Sequence, residues 1–169
     1  MTLRNDLKHA AVGAVATALA AQVRVPLEHV PMTLQTLAMF VTAALGGVRV
    51  GVLCAAVYLL AAWLGAPVLS GWGTIGQLDV FAVKNAGYVV GFVPAACIVG
   101  RARRAPWWRL LAAALLAHAV VLAIGGAWLA AHVGVEAAWR HGVWPFVPGA
   151  LLKSALVPPI AAALRRLRR

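Results

Sequence analysis

Six apolar runs, with most charges left to the short breaks between them and to the two ends of the chain, constrain this chain more than any other feature. They cover residues 9–25, 32–48, 50–66, 79–99, 110–131 and 146–164. Several are about 17 residues long, the short end of what crosses a bilayer as a helix. The breaks carry turn chemistry: "RVPLEHVPMT", "LGGVRVG", "GAPVLSGWGTIGQ", "GRARRAPWWR" and "HVGVEAAWRHGVWPFVP". With 63% hydrophobic and 11% charged residues and a mean hydropathy of +0.89, too few polar side chains remain to build a water-facing surface. The expectation is an all-α integral membrane protein, a single transmembrane domain over residues 1–169.

Lysine and arginine set the topology, because cytoplasmic loops carry their excess. With six spans and the N-terminus inside, the inner set is Arg4, Lys8, Arg49, Arg101, Arg103, Arg104, Arg109, Arg165, Arg166, Arg168 and Arg169. The outer loops then hold only Arg24 and Arg140, so both termini are expected in the cytoplasm. Trp107, Trp108, Trp139 and Trp144 suit the interfacial belts. A net charge of +11 would otherwise point to nucleic acid. Here the charges form short clusters between apolar runs, with no basic helix, so nucleic acid is not an expected partner. "MTLRNDLKHAAVGAVATALAAQ" also has the form of a secretory signal with an A-x-A site at 18–20, and the six-span charge balance favours its retention.

Catalysis has little raw material in this sequence. The phosphate-binding pattern G-x-x-x-x-G-K-[ST] is absent, as are H-x-x-x-H, H-E-x-x-H and Cys/His clusters, so no metal or cofactor is expected. The acids are four, Asp6, Glu28, Asp79 and Glu136. The histidines mostly sit at the ends of the runs, and only His118 falls deep inside one, where a helix-to-helix hydrogen bond is the expected role. The chain is not expected to be an enzyme. Cys54 and Cys97 lie in apolar runs without C-x-x-C spacing and are expected as free thiols.

The polar residues near the outer ends of the spans are more informative. Thr33, Gln35 and Thr36 precede or open the second; Ser70, Trp72, Thr74 and Gln77 follow the third; Asp79, Lys84, Asn85 and Tyr88 accompany the fourth; Lys153 and Ser154 lie in the sixth. Apolar walls, a few orienting polar groups and one cation are what a small-molecule site requires. Lys153 has two readings: it pairs with Asp79 or snorkels to the interface, or it meets a ligand carboxylate. For Lys84 an internal pair with Asp79 or interfacial exposure is at least as good as ligand contact. Ala10, Ala14 and Ala18 recur every four residues on the first segment, a small-residue stripe that lets another helix approach.

The residues "VPMTLQTLAMFVTAALGGVRVGVLCAAVYLLAAWLGAPVLSG", "NAGYVVGFVPAACIVG" and "WPFVPGALLKSAL" resemble, in this order, motifs of the BioY family, the substrate-binding S components of energy-coupling factor biotin transporters. The likeness runs from about Val25 to Leu156. It implies six transmembrane helices with both termini cytoplasmic, a multi-pass place in the inner (plasma) membrane, and capture of biotin from outside. It further implies an energy-coupling transmembrane subunit and ABC-type ATPases as partners, with the Ala10, Ala14 and Ala18 stripe as the dock. Lys153 falls on the lysine of the family's P-G-D-x-x-K motif and would meet the biotin carboxylate, with Tyr88, Asn85, Gln77, Thr74, Trp72, Asp79 and Gln35 as further candidates for substrate binding.

Ala150 stands where that motif has aspartate, and the third loop reads "SGWGTIGQ" in place of a glycine-rich run. Recognition of the ureido group then falls to Asn85, Gln77 or Asp79, or the cargo is another small carboxylate. A non-transporting membrane scaffold is the alternative from a different class.

Overall fold

The computed structural model describes residues 3–25, 32–73 and 86–167, and these form a helical bundle around one apolar core. Helix α1 (Leu3–Ala20) leads into a two-residue strand β1 (Arg24–Val25), which pairs antiparallel with β2 (Met32–Thr33) in the register Arg24 with Thr33. Then come α2 (Gln35–Gly46), α3 (Val48–Trp63) and α4 (Phe92–Arg101), the last entered through a helical turn that starts at Ala86. Helix α5 (Trp107–Val133) is followed by a short α6 (Val135–Ala138), a π-turn over Trp139–Val143, a 3-10 turn over Trp144–Phe146, and α7 (Val147–Arg166).

Local chemistry explains where the helices stop. Gly47, at φ 83°, ends α2 and starts α3 with no loop between them, a left-handed conformation that favours glycine. Pro106 stands just before α5, where its missing N–H costs nothing. At 27 residues α5 is about 40 Å long, more than a bilayer core of about 30 Å. The twelve-residue α2 rises only about 18 Å, so it lies within the bundle's depth.

That short helix is the hub: α2 packs on α1, α3, α4 and α7, and its Met39, Phe40, Ala43 and Ala44 are fully buried. Close approach is bought with small residues, as at Gly100 of α4, where a Cβ would meet the backbone of Val48. Meanwhile Val12, Val15 and Leu19 of α1, Leu116 of α5 and Leu151 and Leu152 of α7 are exposed. Leucines outside and small residues within are the pattern of a bundle solvated by lipid.

The Ala10, Ala14 and Ala18 stripe needs correction. Ala10 and Ala14 are 0% and 7% exposed, Ala18 packs against the core, and a Cβ at the intervening Gly13 would strike Thr42 of α2. The small residues form the seam between α1 and its own neighbours, not a free dock. A stripe shows that a helix will be approached closely; it does not say by which partner, and α2 and α3 of the same chain are the first to hand.

Candidate functional site

The α1 start, the α2–α3 junction, the α4–α5 turn and the α7 end come together. Arg49 lies 3.5 Å from Asp6, and Arg165 donates to the carbonyls of Ala44 at 2.9 Å and Arg103 at 2.7 Å. The arginine clusters of the sequence therefore share one end of the bundle. The opposite end holds Arg24 and Arg140, the latter 3.0 Å from Glu136 in a largely exposed pair.

At that opposite end a chain of hydrogen bonds links four elements. Lys153, on the second turn of α7 and 8% exposed, donates from Nζ to the Thr33 carbonyl at 3.1 Å. The Thr33 hydroxyl donates to Gln35 Oε1 at 2.6 Å and accepts from the Gln35 amide N–H at 3.4 Å, which fixes the start of α2. Gln35 Nε2 donates to the Tyr58 hydroxyl, which donates in turn to the Val68 carbonyl at 2.8 Å. Gln22 extends the band, its Nε2 donating to the Leu69 carbonyl at 3.1 Å and its Oε1 accepting from the Trp72 N–H at 3.1 Å. Ser70 Oγ, between these tied residues, is buried with no hydrogen-bond partner among the described residues.

Among the described residues Lys153 is thus held but not neutralised. An ammonium has three N–H donors, and among the described residues one is committed, to an uncharged carbonyl. Among the described residues the acids are engaged elsewhere, Asp6 with Arg49 and Glu136 with Arg140. A buried cation with donors to spare and no carboxylate is suited to receive an anion.

Of the other residues proposed from sequence, Gln35 joins Lys153 through Thr33, and Trp72 sits further along the same band, exposed, with φ 60°. Tyr88 is placed differently. Its hydroxyl donates to the Gly142 carbonyl at 2.7 Å and its ring stacks on Phe146, so it ties the start of α4 to the turns before α7. Asn85, Gln77, Thr74 and Asp79 lie outside the described residues, as does Lys84. Sequence reasoning did not single out Gln22 or Tyr58. The signal for Tyr58 was a tyrosine inside an apolar run, whose buried hydroxyl must find a partner.

Two shallow grooves lie away from this band. One of about 620 Å³ is lined by Leu3, Val48, Arg49, Val52 and Leu53 at the arginine-rich end; another of about 300 Å³ lies between Trp139, Arg140 and Trp144. Both are open surface features, and neither offers the buried, partly satisfied donors that surround Lys153.

Comparison with known proteins matches the BioY family over residues 2–169. The probable biotin transporter BioY of Pyrococcus horikoshii is 31% identical over 149 residues, covering 88% of this chain and 89% of the relative. The biotin transporter BioY of Thermotoga maritima is 30% identical over 152 residues, covering 87% and 88%. A crystal structure of the S-component for biotin from an ECF-type ABC transporter has the same fold, with a TM-score of 0.78 at 22% identity over 98% of this chain and 95% of that one.

Proposed function

The chain belongs to the BioY family, and on that premise we propose that it captures biotin from the outer side of the cytoplasmic membrane and delivers it inward with an energy-coupling subunit and ABC-type ATPases. Six crossings with both termini inside are supported by the gathering of the arginine clusters at one end of the bundle. Residues 1–169 act as one substrate-binding unit around the single core. A coupling subunit that meets α1 meets its exposed Val12, Val15 and Leu19 rather than the buried alanines.

The observation that carries the reading is Lys153: buried, tethered to the Thr33 carbonyl, and without a carboxylate partner among the described residues. Its remaining N–H groups meet the biotin carboxylate, while Gln35 and Trp72 in the same band, with Asn85, Gln77, Thr74 and Asp79, supply the neutral part of recognition. Tyr88 shapes the wall from behind. Equilibrium binding of radiolabelled biotin to the purified protein tests this. Tight binding that Lys153→Ala abolishes is expected; tight binding indifferent to that change would move the site elsewhere.

A second reading is favoured by Ala150, 7% exposed on the turn before Lys153, which presents a methyl where the resembled motif has a carboxylate. That site keeps the anion contact but lacks an acceptor for ureido N–H groups, which suits a different small carboxylate. Competition of labelled biotin by other short-chain carboxylates separates the two.

A further inference from the structure

One interior polar cluster has no part in the contacts above. His118 of α5 is 4% exposed and lies between α2 and α7, with Nε2 3.0 Å from Thr36 Oγ1 and Nδ1 2.8 Å from Ser154 Oγ. Nδ1 is also 3.1 Å from the Ala114 carbonyl one turn back, and Phe40 of α2 packs edge-on to the imidazole with centroids 4.6 Å apart. Three polar side chains in a lipid-solvated bundle have value only if each is satisfied, and these are. A neutral imidazole has one N–H and one acceptor nitrogen, and both neighbouring hydroxyls can give or take a proton, so the bridge closes in either tautomer.

The positions in sequence connect this bridge to the site. Ser154 directly follows Lys153, and Thr36 lies one turn beyond Thr33. Helix α7 is therefore tied by two adjacent rungs, Lys153 to Thr33 in the strand just before α2, and Ser154 through His118 to Thr36 of α2 itself. Helix α7 has a particular need of the second. Pro158 and Pro159 lie inside it without N–H groups, so the carbonyls of Ser154 and Ala155 lose their partners four residues on. The half of α7 that carries Lys153 is joined to its other half by fewer bonds, and the His118 bridge holds it to the neighbouring helices.

We propose that His118 is a positioning residue for cargo: by bridging Thr36 and Ser154 it sets the separation of α2 and α7 and so holds the Lys153 ammonium where an anionic group of the ligand meets it. This rests on the reading of Lys153 as the cargo contact. Because His118 acts through Lys153, its loss weakens the ligand's charged end and leaves the neutral end alone.

The test is binding of biotin and of biotinamide, its uncharged amide, to the purified full chain and its variants. His118→Leu is expected to weaken biotin about tenfold while changing biotinamide by less than about twofold. The double variant with Lys153→Ala is expected to bind biotin no worse than Lys153→Ala alone, since both changes remove one interaction. His118→Gln, which keeps a donor and an acceptor, restores most of the affinity. Equal losses for both ligands, or losses that add in the double variant, would overturn the proposal.

Should the parent protein bind neither ligand, the biotin reading falls and the bridge is judged on its own. Spin labels placed by Leu34→Cys and Leu152→Cys, both exposed positions, with Cys97→Ser, report the spacing of α2 and α7. A narrow distance distribution that broadens in His118→Leu supports the bridge; one that does not change refutes it.

Discussion

At the arginine-rich end of the bundle, charge closes the structure: Arg165 spans the Ala44 and Arg103 carbonyls, and Arg49 faces Asp6. At the opposite end the same work falls to neutral groups, Gln22, Gln35, Tyr58 and Tyr88, each bonded to a carbonyl or another side chain. The guanidinium of Arg49 is mostly exposed and can be hydrated while it bonds. Lys153 has no such outlet, being buried. At the arginine-rich end even the buried Asp6 is fastened to a hydrated guanidinium, whereas at the opposite end the buried Lys153 meets only an uncharged carbonyl among the described residues. Its single bond to the Thr33 carbonyl leaves N–H groups unused among the described residues, which is what the proposed anion contact draws on.

The sharpest way to break this contrast is to remove the reserved charge. Lys153→Ala should weaken biotin by roughly 100-fold, read by equilibrium binding, while thermal unfolding in detergent changes little. A large fall in unfolding temperature with binding preserved would make Lys153 a fastener like the arginines. Next is Gly100→Ala, which forces α4 away from the Val48 backbone and should cost about 1–3 kcal/mol of stability, seen as a lower unfolding temperature. Arg165→Ala removes two carbonyl contacts from a half-buried side chain and should cost about 1–2 kcal/mol with biotin affinity intact. Loss of binding in that variant would show that the two ends are not independent. Least is expected of Glu136→Gln, because both partners of its ion pair are largely exposed; neither stability nor binding should move measurably.

Much of the architecture was legible before any coordinates. The apolar runs mark the six principal helices, Gly47 and Pro106 sit where helices turn over, and His118 inside a run is a helix-to-helix hydrogen bonder as its setting suggests. Lys153 stood out because a lone ammonium among hydrocarbon demands an explanation. What sequence could not supply was direction. The alanine stripe on α1 is real, but its face is chosen by competition among possible neighbours, and α2 and α3 win it. Tyr88 has the right chemistry for ligand contact, yet the π-turn at Trp139–Val143 brings the Gly142 carbonyl within its reach, and no local pattern announces that meeting.

The resting partner of Lys153 also bears on repeated turnover. A peptide carbonyl is a fixed dipole built into the chain; it neither leaves nor titrates, and it competes weakly with a full negative charge. On the proposed reading, when the passenger departs the amine does not have to find a replacement counter-ion or swing away to one. It stays moored, and the vacated receptor is already set for the next arrival.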